Sequence, residues 1–334
     1  MALRGSKDLL ACPLFCGLAL EVGLVEPRDR VPDVRFVVNG EVLLAVPIDI
    51  RELVLAERLA LLGAEIAHHG SFACVARSNG IPRACTSLVS NLVRVGTSGW
   101  EYRHWAGRFY PPGMPREQWL EFYTRQFDTV ELNNSFYRLP PPDTFVGWAR
   151  RVPDGFAFAV KASRYLTHVR RLREPREPLE RLWSRARRLG DRLGPVLYQL
   201  PPRWRPNQER LAAFLDALPG GELQAIEIRD RRWYGPQLST ALDDAGVALC
   251  LHDMPGSAPR PERIGPFVYV RFHGSGARYG GRYSSQRLTA WAARMAGWAA
   301  SGWPVWAYFN NDIDGHAIRD ADRLRSLLFR RGVI

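Results

Sequence analysis

Two glutamates, Glu131 and Glu227, lie within short apolar stretches that predict buried strands. Burying a carboxyl group on the inward face of a strand costs free energy unless a hydrogen-bond donor or a cation pairs with it. When two carboxyl groups lie in different surroundings, their pKa values can separate, so that one acts as an acid and the other as a base. The pair is therefore a candidate for acid/base catalysis by a hydrolase or lyase. The pair is compatible with glycoside cleavage. The two mechanisms of that reaction differ in the distance between the carboxyl groups, which the sequence does not give.

Three basic residues suit an anionic ligand. Lys161, Arg229 and Arg271 could bind a phosphate or a carboxylate, because a guanidinium can engage such a group through two hydrogen bonds. His273 is a candidate proton carrier, since imidazole has the one unperturbed side-chain pKa near neutrality. The alternative for His273 is a structural role, in which it only makes hydrogen bonds.

The charged candidates also have a structural interpretation. Glu131, Lys161, Glu227 and Arg271 would neutralise one another as an internal ionic layer. Such a layer is weak support for stability, because apolar side chains of similar volume often stabilise a core as well. We therefore favour a functional origin, since buried ionisable groups concentrate at functional sites.

These side chains need strands that carry them to one place. Apolar runs bounded by turn formers predict strands over 94–100, 129–136, 156–163, 195–200, 223–229, 247–253, 267–274 and 305–312. Helical spacing predicts helices over 116–127, 143–151, 178–193, 207–218, 236–245, 286–301 and 318–331. Asn207 and Ser285 are expected to cap two of these helices. The segment 254–266, rich in Pro, Gly and Ser, leaves little room for a helix.

About eight strands alternating with helices over roughly 240 residues predict a (β/α)8, TIM-barrel-like, α/β domain. An open doubly wound sheet competes, but the turn after the first strand is too short for its phosphate-binding glycine fingerprint. Barrel enzymes place their sites at the carboxyl ends of the strands. We therefore expect a single barrel domain at 93–330, with its site at that end, behind an N-terminal extension at 1–92.

Polar residues mark the carboxyl ends of most predicted strands. Glu131, Asn133 and Ser135 keep a two-residue spacing, so one face of a strand would carry all three. The candidate catalytic residues are Glu131, Glu227 and His273. The candidate substrate-binding residues are Thr97, Ser98, Trp100, Asn133, Tyr137, Lys161, Gln199, Arg229, Arg271, Asn310, Asn311 and Asp312.

No cofactor is predicted. A divalent metal is the alternative, and its mixed oxygen and nitrogen ligands would be Glu131, Glu227, Asp253, His273 and Asp312. The neighbouring Lys and Arg side chains would repel a cation, which disfavours this site. The loop 274–283 is rich in glycine and carries two arginines, so it could close over an anion. It lacks the lysine and hydroxyl of a nucleotide P-loop.

The chain carries a formal net charge of +12 and has a pI near 9.9. An excess of positive charge attracts phosphates and nucleic acid at long range. The arginines at helical spacing over 181–192, however, indicate the solvent-exposed face of a helix. Aromatic side chains near the predicted rim could stack on bases or sugars. They are Trp100, Tyr102, Trp105, Phe136, Tyr137, Trp204, Trp233, Tyr234, Tyr279 and Tyr283. Binding or processing of nucleic acid therefore remains an alternative function.

Five cysteines show no repeated metal-ligand pair, which predicts reduced thiols in a reducing compartment. The apolar run 9–20 contains Pro13 and is too short to span a bilayer. We therefore expect a cytoplasmic protein that does not act in a membrane.

The N-terminal extension has weak patterns. A hairpin is predicted over 34–46 with its turn at Asn39-Gly40, and a helix over 51–67. These pieces are too few to bury a core of their own. We expect a partly disordered segment, which could include sequence from upstream of the natural start.

Seven stretches, in this order, resemble one known family. They are VGTSGWEYRHWAGRFYP, TVELNNSFYRLP, FAFAVKASRYLTH, LYQLPPRW, IEIRDRRW, YVRFHG with the following YGGRYS, and YFNNDIDG. Together they resemble the YecE-like family, domain of unknown function 72, over residues 93–328. The resemblance implies a TIM-barrel-like fold and no established reaction. His252 departs from the family, in which a small or apolar residue is more usual.

The sequence as a whole predicts a barrel enzyme that acts on a small anionic or sugar-phosphate-like molecule. Glu131 and Glu227 would be its acid/base groups, and Asn310 and Asp312 would position the substrate. A nucleic-acid-binding protein and a non-catalytic barrel that binds a ligand or partner remain alternatives. The oligomeric state does not follow from these patterns.

Overall fold

In a computed structural model, the chain divides into two units, 1–79 and 80–334. The structure describes three strands of the first unit together with residues 92–254, 263–276 and 279–334.

The described strands of the first unit form an antiparallel sheet in the order β1–β2–β3. They are β1 (Leu18–Val22), β2 (Asp33–Val38) and β3 (Glu41–Pro47). The pairing of β2 with β3 agrees with the hairpin predicted over 34–46. The turn at 39–40 and the helix predicted over 51–67 lie outside the described residues. The order and origin of the extension therefore stay predictions.

The second unit contains a closed barrel of parallel strands in the order of the chain. The strands are β4 (Val93–Thr97), β5 (Thr129–Leu132), β6 (Ala157–Lys161), β7 (Leu193–Gln199), β8 (Gln224–Glu227), β9 (Ala248–Asp253), β10 (Val268–Phe272) and β11 (Val305–Phe309). Pairing of β11 with β4 closes the ring. The predicted (β/α)8 fold class is confirmed.

Helices follow most strands and cover the outside of the barrel. The α-helices of the described residues are α1 (Trp119–Tyr123), α2 (Asn134–Tyr137), α3 (Pro142–Arg150), α4 (Arg176–Ala186), α5 (Gln208–Asp216), α6 (Pro236–Asp244), α7 (Ser285–Ala300) and α8 (His316–Phe329). Shorter turns of 3-10 helix cover Arg103–Trp105, Arg116–Gln118, Arg187–Arg192, Arg231–Trp233 and Ile313–Gly315, and a π-helix covers Tyr165–Val169.

One of the two predicted helix caps is correct. The side chain of Asn207 accepts a hydrogen bond from the backbone N–H of Arg210 and caps α5. The prediction for α7 was wrong by one residue, because Ser284 is the cap and accepts from the N–H of Arg287. Ser285 is instead the first helical residue.

The predicted strand over 129–136 is too long, and this affects the site. Strand β5 ends at Leu132, and Asn133 already has right-handed helical backbone angles at the start of α2. The two-residue alternation therefore stops before Ser135. The Ser135 hydroxyl bonds the backbone carbonyls of Leu132 and Lys161, so it ties this turn to β6 instead of facing the lumen.

The lumen beneath the carboxyl end is filled. Tyr269, Tyr308 and Trp306 pack there among small residues, which include four alanines of β6, β8 and β9. At Gly96, a Cβ atom would lie 2.1 Å from the backbone oxygen of Thr129, so any side chain would push β4 and β5 apart. The barrel is thus a packed core with polar groups concentrated at one end.

Candidate functional site

Arg271 lies at the centre of a buried ionic cluster. Its Nε and Nη2 donate to the two carboxylate oxygens of Glu131 at 2.9 and 2.7 Å, and its Nη1 donates to Glu227 Oε2 at 2.6 Å. All three side chains have 0% exposure. One guanidinium can serve two carboxylates from β5 and β8 because its donors form a rigid, planar fork. The structure thus brings these three predicted residues together.

Both oxygens of Glu131 are occupied by donors. Ser98 Oγ and Arg271 donate to Oε1, while Tyr269 Oη donates to Oε2 at 2.8 Å. Burial by itself raises the pKa of this carboxyl, but the charge and hydrogen bonds of Arg271 outweigh burial and hold the pKa below its usual value. Glu131 is therefore ionised at neutral pH.

Glu227 is held in the same way. Its Oε1 accepts from Gln199 Nε2 at 3.0 Å and from Arg229 Nε at 2.6 Å. Burial raises the pKa of this carboxyl, yet Arg229 and Arg271 hold the pKa well below its usual value. Neither Glu131 nor Glu227 keeps a proton near neutrality, which disfavours the predicted division into an acid and a base. The geometry is that of two counter-ions.

Lys161 is the last residue of β6 and is 5% exposed. Its Nζ donates to Asn133 Oδ1 at 3.2 Å and lies 4.0 Å from the centre of the Phe136 ring. In the described part of the chain, no carboxylate forms an ion pair with it. Burial, together with the positive charge of Arg271, lowers the pKa of the Lys161 amine to about 7. The charged and the neutral amine are therefore both populated at neutral pH.

His273 is buried beside Glu227. Its Nε2 lies 3.5 Å from Glu227 Oε1, and its Nδ1 lies 3.3 Å from Asn310 Nδ2. Burial lowers the pKa of His273 to about 3, despite the opposing pull of Glu227. The imidazole is neutral at physiological pH, so it offers a hydrogen bond rather than a change of charge. The ring of His252 lies beside that of His273, with ring centres 6.4 Å apart. Nε2 of His252 lies 2.9 Å from the backbone oxygen of Ile228, at hydrogen-bond distance.

Four predicted substrate-binding residues lie away from the cluster. Thr97 bonds a tyrosine of α1, Trp100 packs edge-on against a tryptophan of α3, and Asn311 bonds an aspartate of α8. Tyr137, at the end of α2, is 70% exposed. Side chains alternate along a strand, so Ser98 enters the cluster while its neighbour Thr97 contacts the helices.

Asp312 lies in a separate group at the rim. It accepts a hydrogen bond from Trp105 Nε1 at 2.7 Å, while His104 Nε2 bonds the backbone oxygen of Asp312 at 3.0 Å and lies 3.2 Å from its carboxylate. Burial raises the pKa of this carboxyl. The contacts fix the 3-10 turn after β4 against the segment after β11, which is a structural task.

One contributor to the cluster, Tyr269, was missed by sequence reasoning. It precedes Arg271 by two residues, and this spacing could have placed it on the same strand face. Phe136 was predicted as an aromatic residue of the rim, but its contact with Lys161 has no sequence signal, because it arises only after the chain has turned into α2.

The five predicted metal ligands do not act as one group. Glu131, Glu227 and His273 meet around Arg271, whereas Asp253 is bound by Arg287 and Trp291 and Asp312 by Trp105. Within the described residues, no three His, Cys, Asp or Glu side chains are grouped so as to hold a metal ion.

Most aromatic residues of the predicted rim are packing residues. Six of the ten are at most 8% exposed: Trp100, Trp105, Phe136, Trp204, Trp233 and Tyr283. Flat faces that could stack on bases are therefore few among the described residues, which weakens one argument for nucleic-acid binding.

None of the helices in the described segments is both long and apolar enough to cross a bilayer.

The fold and site define a (β/α)8 barrel protein with an ionic cluster at the carboxyl ends of its strands. The model of the family described as "Protein of unknown function DUF72" matches residues 94–333. The chain belongs to this family, as the sequence resemblance indicated.

Curated relatives are similar to this chain over the barrel. UPF0759 protein YunF of Bacillus subtilis (strain 168) is 26% identical over 270 residues, which cover 71% of this chain and 95% of the relative. UPF0759 protein YecE of Escherichia coli (strain K12) is 28% identical over 177 residues, covering 51% of this chain and 62% of the relative. A solved structure of a DUF72 family protein from Thermotoga maritima MSB8 has a TM-score of 0.64 and 27% identity, covering 71% of this chain and 99% of that chain.

Proposed function

We propose that the protein is an enzyme that binds a small anionic molecule at the carboxyl-end mouth of its barrel. The observation that carries the proposal is the balance of buried charge. Glu131 and Glu227 are matched by Arg271 and Arg229, so a protonated Lys161 is a cation in excess.

An excess buried cation favours an anion. A charge taken out of water costs several kcal/mol unless it is paired, and this cost lowers the pKa of Lys161. A bound phosphate or carboxylate would supply the missing negative charge and raise that pKa again. Binding above pH 7 should therefore be accompanied by uptake of a proton.

Neighbouring groups offer further hydrogen bonds to such a ligand. Arg229, which hydrogen-bonds Glu227 and Tyr279, and His273, whose Nε2 lies 3.5 Å from Glu227 Oε1, are buried donors of the same cluster. Asn310, 9% exposed, adjoins His273. We assign these donors to ligand binding, and we assign Glu131, Glu227 and Arg271 to holding the donors in position. The two carboxylates are not assigned to acid catalysis, because neither has a protonated oxygen near neutral pH.

Thermal unfolding with inorganic phosphate tests the proposal. A ligand at about 100 times its dissociation constant stabilises a protein by roughly 2.7 kcal/mol. We expect the unfolding temperature of the wild type to rise and that of Lys161→Met to stay unchanged. Arg181→Met is the matched control, since Arg181 is 61% exposed and pairs only with Glu177 on α4; it should respond as the wild type does. An equal response of Lys161→Met would refute the assignment.

The dependence of binding on ionic strength distinguishes the nucleic-acid alternative from this proposal. Binding to a phosphate backbone weakens steeply with ionic strength, because it releases condensed counterions. A short DNA duplex that binds wild type and Lys161→Met equally, with a steep salt dependence, would favour that alternative and count against an anion site in the barrel.

A further inference from the structure

The chain uses lysine very sparingly. Its 46 basic residues are 44 arginines and two lysines, Lys7 and Lys161. Every basic residue of the described barrel except Lys161 is thus an arginine. Arginine keeps its proton in proteins, whereas a buried lysine can lose it and become a nucleophile or base. Charge alone therefore does not account for a lysine at position 161.

The surroundings of Lys161 suit a reactive amine. Its Nζ lies 4.0 Å from the centre of the Phe136 ring, the side chain is buried, and among the described residues the amine donates to Asn133 Oδ1. The amide oxygen accepts a hydrogen from Nζ, so the nitrogen lone pair is free to point elsewhere. Within the described residues no carboxylate forms an ion pair with the amine, and burial together with Arg271 outweighs the pull of Glu131 and Glu227 on its pKa.

The cluster also fixes where charges lie around this amine. Arg271 is fully committed to Glu131 and Glu227, and it repels a second positive charge nearby. Lysines are activated in this way, by an apolar wall and a neighbouring cation. Arg229, bound to Glu227 through its Nε, supplies a second cation for the anionic end of a substrate.

We infer that Lys161 is a catalytic nucleophile that forms an imine with the aldehyde or ketone group of an anionic substrate. The inference rests on the proposed anion site and names the second functional group of its ligand. The Nζ lone pair attacks the carbonyl carbon, and the carbonyl oxygen takes up a proton to give a carbinolamine. The two hydrogens of the amine leave with that oxygen as one water molecule, and the C=N bond replaces C=O. No oxidant or reductant is needed.

Borohydride trapping on the full-length protein tests the inference. The protein is incubated with glyoxylate, an anionic aldehyde, and reduced with sodium borohydride, which converts an imine into a stable secondary amine. Peptide mass spectrometry then locates the adduct. We expect Lys161 to be modified at pH 7, where Lys7 and the terminal amine serve as references in the same chain. Acetaldehyde, which lacks the anionic group, should modify Lys161 more slowly than glyoxylate does.

The expected contrast is large. An amine with a pKa of about 7 is half neutral at pH 7, whereas an ordinary lysine of pKa about 10.4 has on the order of one neutral molecule in 2,500. The extent of Lys161 modification should therefore reach half its maximum near pH 7. Modification of Lys7 without any of Lys161 across the pH range would overturn the inference.

Two results separate this inference from the proposed function. If phosphate stabilises the protein but glyoxylate leaves no adduct on Lys161, the anion site stands and the imine is refuted. If the adduct forms while phosphate neither stabilises the protein nor slows the trapping, the nucleophile stands and the anion site is refuted. Lys161→Arg keeps the positive charge and should still bind phosphate while giving no adduct.

Discussion

Replacing Arg271 with methionine removes the cation that holds the cluster together. Methionine has a comparable length, so the change removes charge and hydrogen bonds more than volume. Glu227 keeps Arg229 as a partner at 2.6 Å, whereas Glu131 loses both bonds to Arg271, and no other cation of the described residues forms an ion pair with it. Breaking a buried pair by removing one partner costs about 3–5 kcal/mol, because a buried charge stays behind. We therefore expect the free energy of unfolding of Arg271→Met to fall by about 3–5 kcal/mol, because the carboxylate of Glu131 stays buried without its cation.

The measurement is the free energy of unfolding in urea as a function of pH. In the wild type, the pKa of Glu131 and of Glu227 lies below its usual value. Their contribution is therefore present above about pH 4.3 and is lost as the pH falls through the lower folded values. In Arg271→Met, burial prevails and raises the pKa of Glu131. That variant loses stability as the pH rises through the raised value, so its deficit should shrink as the pH falls toward 4.

Two comparisons make the result specific. Arg181→Met removes an exposed pair with Glu177 and should cost at most about 1 kcal/mol, because exposed pairs contribute little. Adding Glu131→Gln to Arg271→Met removes the stranded charge and should restore part of the loss, since the two positions are coupled. A deficit below about 1 kcal/mol, or one that does not shrink in acid, would refute the reading of Glu131 and Arg271 as a buried pair.

Three further changes have defined outcomes. Because burial lowers the pKa of Lys161 from the ordinary value of 10.5 to about 7, the wild type should gain about 2 kcal/mol of stability relative to Lys161→Met between pH 7 and 9, where the unfolded chain holds an extra proton. Urea unfolding of both proteins across this range measures the difference, and a constant difference would count against the lowered pKa. Tyr269→Phe removes a hydrogen-bond donor to Glu131, so we expect the free energy of unfolding to fall by about 1.5–3 kcal/mol. Thermal and urea unfolding at neutral pH measure this change, and an unchanged free energy would count against the hydrogen bond. Gly96→Ala puts a methyl 2.1 Å from the oxygen of Thr129 and should lower the unfolding temperature by several degrees; a neutral effect would mean that β4 and β5 separate easily.

Local patterns predicted the elements far better than their ends. The starts of β5 and β11 agree with the predicted strands, but strand patterns ran on past Leu132 and Phe309, because polar residues after a strand keep alternating in the sequence even when the backbone turns. The cap of α7 was misplaced by one residue for a similar reason, since Ser284 and Ser285 are chemically equivalent and only backbone angles separate cap from first turn.

The sequence by itself determined the alternation of strands and helices, the barrel class, the family and the set of ionisable residues on inward strand faces. These follow from hydrophobic period and residue type, which are local properties. Only the tertiary structure decided what those residues are. Arg271 pairs with both carboxylates, Glu131 and Glu227, and holds the pKa of each below its usual value, whereas no described carboxylate forms an ion pair with Lys161. The physical reason is that a pKa depends on burial and on the nearest charges, and those neighbours come from strands far apart in the chain.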